Sequence, residues 1–262
     1  MSLPRFFLDE QVIAQEADSE FTLRLAQDDL KHFKVLRLQP GEHIAVIDAA
    51  SNYFECQITS VGAEVMVRIA QHESAPRKRP QVMLVQGLCK GDKMDDVIRH
   101  ATELGVSAFL PLICERSVVK LDEKKTASRV QRWRSIAKSA AMQSGQPAIP
   151  QILEPMKVSR AADALPDCSA VLVCWEEERM LCLHDAITQA LEQARIEAQD
   201  ARIAVVVGPE GGLSEAEVEC LRASNAHSFA ITLGESILRT ETAGLVALTL
   251  TLHCAGDLGG MA

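Results

Sequence analysis

From residue 81 onward, short apolar runs alternate with segments of helical periodicity, and this alternation constrains the fold more than any other feature of the chain. The runs fall at 82–85, 108–112, 171–174, 203–207 and 229–233. Their length and β-branched content read as buried strands. Between the first two, Met94, Val97, Ile98, Ala101 and Leu104 recur at helical spacing, with Asp92 placed as N-cap and Gly105 as the stop. Ser214 and Glu217 form a capping-box pattern at the start of a later helix. Strands interleaved with helices predict an α/β domain with a mostly parallel sheet flanked by helices on both faces.

Ahead of residue 81 the pattern differs. Runs at 21–25, 43–47, 53–58 and 65–69 are separated by turn signals such as Gln39-Pro-Gly41 and Ala50-Ser-Asn52. That spacing predicts a small β-barrel of about seventy residues, interrupted by one helix over 28–37. The stretch Glu73-Ser-Ala-Pro-Arg-Lys-Arg-Pro80 is polar and bounded by prolines, as a linker would be. The expected division is a barrel at 1–72, a linker at 73–80 and an α/β domain at 81–262.

Two of the later runs end in glycine-bearing loops: Gly208-Pro-Glu-Gly-Gly212, and Leu233-Gly-Glu-Ser-Ile-Leu-Arg239-Thr-Glu-Thr-Ala243. Read as the ends of adjacent strands, they place one ligand pocket at the usual crevice of an α/β sheet. No G-x-x-x-x-G-K-[ST] and no G-x-G-x-x-G opening a helix is present, so the standard triphosphate and dinucleotide fingerprints are excluded. Pro209 also lacks the N–H that an anion nest requires. The loops therefore suit a ligand held by backbone contact and shape. Taken alone, Gly-Pro-Glu-Gly-Gly serves equally well as a structural turn.

The net charge of −9 conceals a division along the chain. Residues 81–150 carry 11 basic and 7 acidic groups, whereas 151–262 carry 7 and 17. Arg116, Lys120, Lys124, Lys125, Arg129, Arg132, Arg134 and Lys138 concentrate positive charge that either attracts phosphates or forms an ordinary solvated helix face. The 8 cysteines contain no C-x-x-C pair and several sit in apolar runs, which predicts small core residues and no metal. No apolar run reaches membrane-spanning length, and Met1-Ser-Leu-Pro-Arg-Phe-Phe lacks the apolar core of a secretory signal. The expectation is a cytoplasmic protein with no membrane association.

The two loops together resemble the knotted SPOUT class of S-adenosylmethionine-dependent RNA methyltransferases. Within that class, the chain is similar to the family that methylates N3 of a uridine in 16S ribosomal RNA. His32-Phe-Lys-Val-Leu-Arg37 with Gly41, Lys90-Gly-Asp-Lys-Met-Asp95, Ala101-Thr-Glu-Leu-Gly-Val106, Arg116-Ser-Val-Val119, Arg132-Trp133 and Gln143-Ser-Gly145 match the family's motifs in order, across nearly the whole chain. The resemblance implies an N-terminal PUA-like RNA-binding β-barrel and a C-terminal SPOUT domain with a deep trefoil knot. It also implies a homodimer acting on 16S rRNA within the small ribosomal subunit.

Carried over by resemblance, Gly208, Pro209, Glu210, Gly211 and Gly212 form one wall of the S-adenosylmethionine pocket. Leu233, Gly234, Ile237, Leu238, Arg239 and Thr240 form the threaded loop, and Leu172 to Glu176 a third wall. Core packing is the plainer reading for Ile237 and Leu238. Arg239, Glu241 and Glu210 lie nearest the chemistry: a uracil N3 must lose its proton, so the site needs anion stabilisation, a proton acceptor, or both. An Arg–Glu ion pair is the structural alternative. RNA contacts are expected from Arg5, Lys31, Lys34 and Arg37 in the barrel and from Lys90, Lys93, Arg116, Arg132 and Lys138 beyond it. His32 reads as an aromatic-rimmed barrel position without a partner.

Met142, Gln146 and Ser236 depart from the family pattern, each removing a charge from the expected RNA-facing or pocket-rim region. Two rival readings are a knotted ribose 2′-O-methyltransferase and a non-catalytic RNA-binding assembly factor. The Lys90-Gly-Asp-Lys motif argues against the first, and the intact cofactor loops against the second.

Overall fold

The computed structural model describes residues 3–72, 78–119 and 123–259. Residues 73–77 of the expected linker lie outside the described residues, as do Lys120 and the side chains of Lys124 and Lys125. The chain divides into one unit spanning Met1–Arg77 with Ala141–Ala148, and a second spanning Lys78–Ala140 with Ile149–Ala262.

In the first unit, β1 (Arg5–Phe7), β2 (Phe21–Thr22), β3 (His43–Ile47), β4 (Tyr53–Val61) and β5 (Val65–His72) pair in the order β1-β3-β4-β5-β2. β1 pairs parallel to β3, and the remaining pairs are antiparallel. The alternation of β4, half-buried with fully buried residues, is that of a sheet with one wet face. β1 was not expected: three residues are too few to carry a period. Helix α1 (Gln27–Val35) buries Phe33 against Phe6, ring centroids 5.7 Å apart. His32 rests against the same ring at 6.1 Å, an aromatic neighbour of the kind the sequence implied.

The second unit contains β6 (Gln81–Gly87), α2 (Lys93–Leu104), β7 (Ala108–Ile113), α3 (Glu123–Ser144, ending in the first unit), β8 (Gln151–Ile152) and β9 (Met156–Lys157). It continues through α4 (Val158–Ala162), β10 (Ala170–Cys174), α5 (Leu183–Ala194), β11 (Arg202–Val207), α6 (Glu215–Arg222), β12 (Ser228–Ile231) and α7 (Thr240–Cys254). The sheet runs β12-β10-β11-β6-β7-β8, with β9 also on β7, and every pair is parallel. Alternate residues of the central strands feed two cores. Leu172, Ile203 and Val205 face one with α2 and α7, while Val171, Val173, Ala204 and Val206 face the other. Burial on both faces is why these strands are continuous apolar runs.

Local signals act largely as the sequence implies. Gly105 ends α2 in the left-handed conformation at φ 100°. Ser214 and Glu217 complete a reciprocal capping box at α6. Asp92 occupies the N-cap of α2 but makes no side-chain cap bond. Its carboxylate lies 3.9 Å from Arg132 instead. One expectation is corrected: β11 and β12 are not adjacent, because β10 lies between them. No helix among the described residues is long and apolar enough to cross a membrane.

Candidate active site

In a parallel sheet all strand C-termini open at one end, so the loops after β10, β11 and β12 converge there. They enclose a cavity of about 510 Å³ lined by Cys174–Glu176, Arg179, Val207–Gly212, Thr232–Glu241 and, from α2, Lys93. Both glycine loops therefore line one pocket, with the end of β10 as the wall between them. Of the expected wall from Leu172 to Glu176, Leu172 and Val173 do not reach the cavity, and Leu172 shows why. It is wholly buried within β10, facing the core two residues short of the cavity.

Gly212 is favoured by its left-handed backbone and Gly87 by lack of space. Gly212 has φ +71°, and a Cβ there would lie 2.3 Å from Glu176 Oε1. At Gly87, the last residue of β6, a Cβ would lie 2.3 Å from the nitrogen of Pro209. The end of β6 thus lies directly against the Gly208–Pro209 backbone. Sequence reading missed Gly87 because its constraint comes from a segment more than a hundred positions away.

The cavity rim carries a charged cluster. Lys93 Nζ lies 3.1 Å from both carboxylate oxygens of Glu241 and 3.7 Å from Glu210. Glu210 also accepts a 3.0 Å bond from the main-chain N–H of Lys90. The cation paired with Glu241 is Lys93, expected as an RNA contact, whereas the side chain of Arg239 makes no hydrogen bond or ion pair among the described residues. Burial works to raise the Glu241 carboxyl, but its own main-chain N–H, Lys93 and Arg239 outweigh burial and hold it below the ordinary carboxylate range. Glu241 is therefore ionised at neutral pH.

Other expected contacts are partly committed elsewhere. Arg116 donates to the Gly211 carbonyl at 3.2 Å, bracing the loop from outside. Arg132 is ion-paired with Asp95, whose other oxygen accepts from Trp133 Nε1 at 3.1 Å. Arg5 donates to the Gly145 carbonyl and lies over the Tyr53 ring at 5.5 Å, so its guanidinium is partly engaged within the first unit. Lys31 pairs with Asp28 on an exposed face, and Lys34 and Arg37 are exposed nearby. Of the three departures, Ser236 lines the cavity, whereas Met142 is buried.

Four carboxylates and three cations line the cavity, a slight negative excess that favours a cationic ligand. Its volume falls within the roughly 300–1,000 Å³ of small-molecule pockets. Glu178 accepts bonds from the main-chain N–H groups of Arg179, Met180 and Leu181 at 2.9, 2.7 and 3.2 Å, ordering the turn that carries Arg179 to the rim.

The RNA methyltransferase domain model matches residues 76–252. A Bacillus subtilis (strain 168) protein, Ribosomal RNA small subunit methyltransferase E, is 32% identical over 253 residues, covering 94% of this chain and 95% of its own. A crystal structure of Ribosomal RNA small subunit methyltransferase E from Neisseria gonorrhoeae, bound to S-adenosyl methionine, is 30% identical. It superposes with a TM-score of 0.76 over 95% of this chain and 96% of that one. A Legionella pneumophila structure in complex with SAM is 26% identical, with a TM-score of 0.76 over 96% and 97% of the two chains.

Proposed function

The chain belongs to the RNA methyltransferase family, and from that premise we propose that it uses S-adenosylmethionine to methylate N3 of a uridine in 16S rRNA of the small ribosomal subunit. The observation that carries this reading is the convergence of three strand-end loops on one cavity whose rim holds Arg239, Lys93, Glu210 and Glu241. The fit to the cofactor is supported by the slight acidic excess of the lining and by the close, side-chain-free approach at Gly212. Names of full-length relatives add support for the small-subunit RNA as substrate.

When bound, S-adenosylmethionine supplies an electrophilic methyl group and a thioether leaving group. Gly208–Gly212, Leu233–Leu238 and Trp175–Glu176 hold and orient it. Arg239 at the N-cap of α7 stabilises the negative charge that develops on the uracil carbonyls as N3 loses its proton. Glu241 or Glu210 accepts that proton, and Lys93 lies between the two carboxylates. The weak basicity of Glu241 places more of the activation on charge stabilisation by Arg239 than on proton abstraction. Held there, the cofactor would supply the methyl group to N3 as the N3 proton passes to a carboxylate, and would leave as a neutral thioether.

The remaining expectations belong to the same reading. The five-stranded unit acts as a PUA-like RNA-binding module through Lys31, Lys34 and Arg37, in the division 1–72, 73–80 and 81–262. Residues 233–240 thread as part of a trefoil knot in a cytoplasmic homodimer. Ile237, 82% exposed at the pocket rim, is the kind of surface a second copy would cover. Methyl transfer from labelled S-adenosylmethionine to isolated small subunits tests the proposal. Label in small-subunit RNA supports it, and binding of cofactor without transfer to any RNA contradicts it.

A further inference from the structure

One buried polar residue has no place in the chemistry above. Gln86 is wholly buried near the end of β6, in register with Val207 on β11 and Pro111 on β7. The preceding residue on its face is Leu84, part of the apolar core under α7. A desolvated amide here is costly unless its hydrogen bonds do something that an apolar side chain cannot.

Gln86 Nε2 donates to Thr240 Oγ1 at 2.8 Å, and Thr240 Oγ1 donates to the Gly208 carbonyl at 2.6 Å. The direction is fixed because a carbonyl can only accept. Thr240 therefore spends its proton on Gly208 and takes the amide hydrogen on a lone pair. The amide oxygen of Gln86 then has no hydrogen-bond partner and faces α7 at Gly244, where a Cβ would lie 2.3 Å from it. Gly244 provides the clearance that lets the amide point this way.

Thr240 and Gly208 both line the cavity, and Gln86 does not. We infer that Gln86 is a positioning residue that sets the width of the cofactor cleft by anchoring Thr240, the first residue of α7, to β6, so that its hydroxyl stays tied to the carbonyl of Gly208, the first residue of the Gly208–Gly212 loop. The link joins the two loops that oppose each other across the pocket, and a sheet ladder cannot do this because β10 separates β11 from β12. The inference rests on the cofactor reading given above.

The test uses full-length Gln86→Met, Thr240→Val and the double variant, with Thr240→Ser as the conservative replacement that keeps the hydroxyl. Calorimetric titration with S-adenosylmethionine is expected to give a dissociation constant raised at least tenfold for each of the two single variants and little further for the double, because both cut one chain. Thr240→Ser is expected within threefold of wild type. Steady-state kinetics are expected to put the loss in KM for the cofactor more than in kcat, with melting temperature nearly unchanged in Gln86→Met. A dissociation constant within twofold of wild type in Gln86→Met, or fully additive losses in the double variant, overturns the inference. A wild-type protein that does not bind S-adenosylmethionine overturns the cofactor reading instead. Amide hydrogen exchange over 208–212, which needs no cofactor, then decides the link separately: faster exchange in Gln86→Met sustains it, and unchanged exchange refutes it.

Discussion

Lys93, in the first turn of α2, holds Glu241, in the first turn of α7, with its Nζ 3.1 Å from both carboxylate oxygens. The pair is separated by 148 positions in sequence and sits on the rim of the candidate active site. Replacing Lys93 with Met is expected to lower kcat by roughly 10- to 100-fold, as for loss of a preorganised charge. Without the ammonium the Glu241 carboxyl titrates higher, so the acidic limb of the kcat profile moves to higher pH. If Lys93 served only an RNA phosphate, KM for RNA would rise with kcat unchanged.

Gly87 is expected to tolerate no side chain. A Cβ would meet the nitrogen of Pro209 at 2.3 Å and the carbonyl carbon of Gly208 at 2.6 Å, and neither is a flexible side-chain end. Gly87→Ala should cost about 3 kcal/mol or more of stability, in the upper range of overpacking, together with cofactor affinity. Gly62→Ala, with open space around it, should stay within about 0.5 kcal/mol of wild type. Denaturant unfolding of the two variants makes the comparison.

Acid should loosen the rim turn. Main-chain bonds from Met180 and Leu181 hold the Glu178 carboxyl below its ordinary value against the opposing effect of burial. Because the folded value is depressed, the ordering is complete above the unfolded value and is lost as pH falls through the folded one. Glu178→Gln removes the charge at neutral pH, and S-adenosylmethionine is expected to bind several-fold more weakly to it. Equal affinity in the two proteins would separate the turn from the site.

The cysteines should divide sharply by reactivity. Burial pushes the thiols of Cys56 and Cys114 up to about 12 and that of Cys89 up to about 11, whereas Cys182 is exposed. Iodoacetamide at pH 8 is expected to label Cys182 first and to leave the three buried thiols until the chain unfolds. Peptide mass mapping over time reads the order.

Both glycine loops are legible in the sequence because glycine, proline and apolar runs act over a few residues. The alternation after residue 81 marks five of the seven strands of the parallel sheet for the same reason, whereas β8 and β9, two residues each, are too short to carry a pattern. What was not legible depends on segments distant in sequence. Nothing local places β10 between β11 and β12 or brings Lys93 to Glu241. Gln86 reads locally as the polar end of an apolar strand, and only its fold neighbours Thr240, Gly208 and Gly244 give it meaning. Leu172 erred in the other direction: it belongs to the correct strand but lies too deep, because a strand reaches the cavity only at its last residues.

The chemical identity of the modified nucleoside tests the central claim most directly. Small ribosomal subunits would be incubated with the protein and S-adenosylmethionine, and their RNA digested and resolved by mass spectrometry. The account predicts uridine methylated on N3 of the base, formed by the wild-type protein and reduced roughly 100-fold or more by Arg239→Ala. Methyl on the ribose 2′-oxygen, or transfer that survives Arg239→Ala, would contradict it.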